Sequence, residues 1–150
     1  MKNQIFERSP TITVRTLQRK VSVSVSDLER FARKAVKLCL RIPRNRKTGL
    51  RQSSEVSVLI VSNRKMASLH RQFMKEPGPT DVITFQHGEI FISAEMARNH
   101  ARRFGTSLTR ELCLYVVHGL LHLHGFDDRD KASARKMEAV QRKILAKAAL

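Results

Sequence analysis

The sequence predicts an α+β fold: a single domain over residues 1–150 in which one mixed sheet of about four strands is packed with helices around a buried central helix that carries a metal site. Three observations lead there. β-branched, alternating runs at 11–25, 55–61, 81–85 and 89–92 read as strands. Apolar stripes at helical spacing lie between and after them. Residues 109–123 are apolar on nearly every side, a pattern that suits only a helix enclosed by the rest of the chain.

In chain order, TITVRTLQRKVSVSV at 11–25 alternates around Arg19 and Lys20 and predicts one or two strands. Ser26 and Glu29 have the S-x-x-E form of a capping box. They open a helix whose stripe is Leu28, Phe31, Ala32, Ala35, Val36, Leu38 and Cys39. Residues 41–51 then bring Arg41, Arg44, Arg46, Lys47 and Arg51 together with Pro43, Asn45 and Gly49 and no acid, which predicts a loop fit to grip a phosphate backbone. EVSVLIV at 55–61 predicts a central strand, followed by a helix capped at Ser62 or Asn63 and broken at EPGPT, where Pro77 and Pro79 continue a helix poorly. Two short strands follow, joined at His87 and Gly88. A helix opened by Ser93 and Glu95 stops at Gly105, the buried helix starts at Ser107 or Thr109, and a last helix runs from about Asp130 with Met137, Val140, Ile144 and Leu145 on one side.

Twenty-nine Lys and Arg stand against 13 Asp and Glu, a net charge of +16 that favours a polyanionic partner. Seven Phe, one Tyr and no Trp with 41% hydrophobic residues describe a globular chain. Cys39 and Cys113 sit among leucines and read as buried free thiols, in keeping with a reducing cytosol. MKNQIFERSP has no apolar leader core, and no run approaches the roughly 18 apolar residues of a membrane span, so a cytoplasmic protein without membrane partners is expected.

The chemistry gathers in TRELCLYVVHGLLHLHGFDD, residues 109–128, where three of the six histidines fall between 118 and 124. His118 and His122 are four apart on a helix and so point the same way, close enough for two imidazoles to reach one ion. Gly125 lets the chain leave the helix, and a carboxylate from Asp127 or Asp128 can return as third ligand. His124, two residues beyond His122, points to the other side. Gly119 occupies the position at which H-E-x-x-H metallopeptidases carry their glutamate base, which argues against a peptidase of that type. The small residue there fits close approach of a strand or a substrate, or plain helix packing. Three protein ligands and an open position acidify water near neutral pH, and attack on a phosphodiester suits the charge.

These residues resemble a known family. His118-Gly-Leu-Leu-His122-Leu-His-Gly125-Phe126-Asp127-Asp128 is similar to the H-G-x-L-H-L-x-G-[YF]-D-H signature of the YbeY family of bacterial endoribonucleases and rRNA maturation factors. Residues 79–85, PTDVITF, and 88–93, GEIFIS, are similar to that family's P-T-D-V-[LI]-[ST]-F and G-D-I-x-I-S segments, in order and spacing. The resemblance implies an α+β domain, one Zn2+ held by three histidines, cleavage of single-stranded RNA, 16S rRNA maturation and ribosome quality control, with rRNA and the ribosome as partners. His118 and His122 carry over as ligands, while Asp128 stands where the third histidine is expected. Met74 stands where an arginine often does; Arg71 lies three residues earlier and Lys75 one later, and Arg71, on roughly the same helix face as Met74, is the candidate to replace it as a phosphate clamp. Thr80, Asp81 and Asp127 are candidates for lining or orienting the site. The competing expectation is a ribosome-associated factor with the same fold and a weakened or structural metal site. A metal hydrolase of another ester or amide is the third.

Overall fold

The computed structural model describes residues 9–149, so residues 1–8, read above as lacking a leader core, lie outside it. The elements are β1 (Thr11–Thr16), α1 (Val25–Leu40), α2 (Gly49–Gln52), β2 (Glu55–Val61), α3 (Asn63–Leu69), β3 (Val82–Phe85), β4 (Glu89–Ser93), α4 (Ala94–Phe104), α5 (Leu108–Leu123) and α6 (Lys131–Ala148). A single π-helical turn, His70–Met74, extends α3.

The four strands form one mixed sheet in the order β1-β2-β4-β3. β1 pairs parallel with β2 and β2 parallel with β4, because helical segments carry the chain back before each next parallel strand. β3 and β4 pair antiparallel through a tight turn in which Gly88, at φ 112°, presents a backbone that few other residues adopt. The strands alternate their faces. Val56, Val58 and Ile60 join the large core with Phe31, Leu120 and Met137, while Leu59 and Val61 point the other way to Met66, Leu69, Ile83 and Phe91.

α5 lies in the large core and touches α1, α4, α6, β3 and β4, which explains its all-round apolarity. Ser62, Ser93, Ser107 and Asp130 cap α3, α4, α5 and α6, each accepting a first-turn N–H through its side chain.

Two local expectations are corrected, and a third, one or two strands over 11–25, narrows to one. The helix α1 begins at Val25, so Ser26 lies inside its first turn and Ser24 is the N-cap. Glu29 serves tertiary structure instead, its Oε2 accepting the Val14 N–H of β1 at 3.2 Å. No second strand forms at 17–24, because the Gln18 side chain bonds both the N–H and the carbonyl of Val21 and folds the segment into a turn. The 41–51 segment is not wholly loop. Thr48 caps the short α2 by accepting from the Arg51 N–H.

Candidate metal centre

α5 ends by presenting His118 and His122 on one side, one turn apart. Their rings meet edge to face at 81°, and the two Nε2 atoms are 3.0 Å from each other. The opposite nitrogens are committed elsewhere. His118 Nδ1 donates to Gln141 Oε1 of α6 at 3.0 Å, and His122 Nδ1 donates to the Phe126 carbonyl at 3.0 Å. Acceptors on both Nδ1 atoms put the protons there and leave both Nε2 lone pairs facing one another. A contact between two lone pairs is repulsive, and a cation placed against both relieves it.

Asp128 completes the group. After Gly125, at φ 86°, the chain doubles back and sets the Asp128 carboxylate 3.8 Å from His118 Nε2 and 4.0 Å from His122 Nε2. All three donor atoms lie within 4.8 Å of one another. Donors around a tetrahedral zinc are separated by roughly 3.3 Å, so the carboxylate has to move by about an ångström or more for one of its oxygens to join both rings on an ion. Side-chain exposures of 29%, 25% and 49% for His118, His122 and Asp128 leave the cluster open to solvent on one side. Two oriented imidazoles, a carboxylate and an open side fit one divalent ion.

His122 is held below the ordinary histidine range, chiefly by burial and then by neighbouring His118, against the opposing pull of Asp128. The neutral imidazole so favoured is the form a metal takes.

The other predicted residues divide. Asp127 is turned into its own bend, its Oδ1 accepting the Arg129 N–H at 3.2 Å. Asp81 immediately precedes β3, accepting from the Val82 N–H at 2.9 Å and from the Thr80 hydroxyl at 3.4 Å. Thr80 and Asp81 therefore hold a turn by their own hydrogen bonds. Arg71 is exposed on the π-helical turn and has no hydrogen bond or ion pair among the described residues. Of the basic loop, Arg44 is drawn against the centre, its Cζ 3.6 Å from the Phe126 ring centroid. Arg51 bonds the Ile42 carbonyl at 3.4 Å and braces the loop from within, whereas Arg41, Arg46 and Lys47 are exposed.

Sequence reasoning missed three supports. Gln141 was legible as a polar residue inside the Met137–Ile144 stripe of the last helix. His124 is fully buried and clamps the basic loop to the end of α5, donating from Nε2 to the Ile42 carbonyl at 2.9 Å and accepting the Thr48 hydroxyl on Nδ1 at 3.2 Å. The Phe126 carbonyl has no signature in the sequence, since any residue supplies one.

A family model for Endoribonuclease YbeY matches residues 13–149. The chain belongs to the YbeY family. The YbeY of Beutenbergia cavernae is 37% identical over 109 residues, covering 61% of this chain and 73% of that relative. The YbeY of Leifsonia xyli subsp. xyli is 36% identical over 109 residues, covering 61% and 71%. The solution structure of TM1509 from Thermotoga maritima superposes with a TM-score of 0.58 at 26% identity, covering 91% of this chain and 90% of that one. YbeY membership supports a nuclease, and so a hydrolase, with RNA as substrate. No helix among the described residues is long and apolar enough to cross a membrane.

Proposed function

We propose that this YbeY-family chain is a metal-dependent endoribonuclease of the cytoplasm that cuts single-stranded RNA, with 16S rRNA maturation and ribosome quality control as its setting. The observation that carries this reading is the pair of opposed Nε2 atoms, His118 and His122, 3.0 Å apart with both Nδ1 protons assigned outward. His118, His122 and Asp128 would hold one ion. Zinc suits a donor set rich in imidazole. Such an ion, when bound, supplies Lewis acidity toward a phosphoryl oxygen and toward water.

The chain's own residues do the rest. Gln141 and the Phe126 carbonyl fix both rings so that little reorganisation accompanies binding. Asp128 brings one negative charge where a third imidazole would bring none, which tempers the acidity of the site. Arg41, Arg44, Arg46 and Lys47 form the face along which phosphates of a flexible strand would be drawn, while Arg51, turned inward to the Ile42 carbonyl, braces the loop that carries them.

One observation favours a second reading, a ribosome- or rRNA-associated factor with a weakened site. Met74, where the family often carries arginine, is exposed, and Arg71 makes no hydrogen bond or ion pair with the cluster among the described residues. Cleavage of a single-stranded RNA with and without chelator separates the two. The proposed enzyme loses activity in chelator and in a His118→Ala, His122→Ala double variant. Full cleavage by that variant refutes the site, and RNA binding without cleavage by metal-loaded wild type supports the factor.

A further inference from the structure

In a chain of net charge +16, a groove of about 490 Å³ beside the ligand-bearing end of α5 is lined by no lysine or arginine. One wall is the α2 end and the start of β2, with Ser53, Glu55 and Ser57. The other is the β3–β4 turn, with Gln86, His87 and Glu89. The walls meet tightly, since a side chain at Gly49 would come within 2.8 Å of the Gln86 carbonyl. The groove also reaches the end of α5 that carries the ligands, since Gln86 Nε2 donates to the main-chain carbonyl of His122 at 3.5 Å.

We infer that this groove takes one unstacked nucleobase of the RNA strand, next to the cut, and favours bases with an exocyclic amino group over uracil. The inference rests on the nuclease reading above. Carboxylates of Glu55 and Glu89 and the serine hydroxyls make the groove rich in acceptors and unfavourable to phosphate. Amino groups of cytosine, adenine and guanine supply the matching donors, and the uracil edge offers mainly acceptors. His87, 66% exposed and stacked on Phe85 at 24° with centroids 5.8 Å apart, offers a supported aromatic face for a base. Its pairing with Glu89 fixes the ring from the side. The basic loop, which runs into the groove at Gly49, would hold the adjoining backbone. A paired base cannot enter, so the groove also gives a reason for preferring single strands.

The test is competition binding of labelled oligocytidylate and oligouridylate to the full chain in chelator, where no strand is cut, followed by cleavage of strands carrying one abasic position. We expect oligocytidylate to bind roughly tenfold tighter, the preference to disappear in a Glu55→Ala, Glu89→Ala variant, and an abasic position beside the cut to slow wild type more than a His87→Ala variant. His87→Ala should weaken both oligonucleotides equally. Equal affinities in wild type, or an unchanged preference in the double variant, overturn the inference whether or not the chain cleaves RNA. Loss of metal-dependent cleavage with the preference retained refutes the nuclease reading and leaves base binding standing.

Discussion

Gly119 of α5 faces Ile90 of β4 so closely that a Cβ on the glycine would stand 2.5 Å from Ile90 Cγ2 and 3.0 Å from its Cδ1. Ile90 is fully buried and β-branched, so its Cγ2 cannot swing aside. The close approach seats the helix on the sheet one residue from His118. Of the uses open to Gly119 in the sequence, packing against a strand is what the structure shows.

Gly119→Ala should therefore destabilise the protein although alanine favours a helix. The propensity gain is about 1 kcal/mol, and overpacking costs about 1–3 kcal/mol, so the net effect should be a loss. Urea unfolding checks this. Adding Ile90→Ala to the Gly119→Ala background should cost less than Ile90→Ala alone, and strict additivity would show that the two sites do not touch.

Gln141→Ala should lower metal affinity about 10–100-fold, the usual effect of removing a partner that orients a ligating histidine. Gln141→Glu, which keeps an acceptor for the His118 Nδ1 proton, should restore it. Competition against a chromophoric chelator gives both numbers. Asp128→Ala should weaken binding and Asp128→His should change the affinity markedly. Identical affinities across the Asp128 series would place that carboxylate outside the ligand set.

Arg44→Ala should weaken RNA binding and reduce the salt slope by about one phosphate contact. It should also loosen the turn at Phe126, whose carbonyl orients His122. Arg44→Lys keeps the charge and loses the planar stack, so it should keep more of the salt slope than of the metal affinity. A salt titration of RNA binding for the three proteins decides the point.

Burial pushes the Cys39 thiol up to about 12 and, against the nearby Arg110, the Cys113 thiol up to about 11. The unfolded chain ionises these thiols near 9.0, so between 9.0 and the raised values the folded state binds more protons. Their contribution to stability is complete below that pH and is lost as pH climbs through the folded values. Wild type should therefore lose stability above pH 9 more steeply than a Cys39→Ala variant, by up to about 1.4 kcal/mol per pH unit. The slopes of urea midpoints against pH measure it. Alkylation of either thiol at pH 8 should wait on unfolding.

What the sequence determined by itself lies within a turn or two of chain. The i, i+4 spacing sets His118 and His122 on one side of a helix, continuous apolarity marks α5 as enclosed, and Ser62, Ser93, Ser107 and Asp130 announce helix starts. These follow from backbone geometry and nearest neighbours, which spacing encodes. The same reasoning failed at Ser26 and Glu29, where a carboxylate suited to a local cap was taken by a strand 15 residues away.

Only the tertiary structure decided what reaches the two rings from outside. Gln141 lies 23 residues from His118, and His124 reaches back 82 residues to Ile42, contacts that exist because α6 and the basic loop pack where they do. The strand order, the stacking of Arg44 on Phe126 and the inward turn of Arg51 have the same origin. Side chains so distant in sequence meet through the burial of whole apolar faces, and that collective packing leaves no periodic mark on any single stretch of residues.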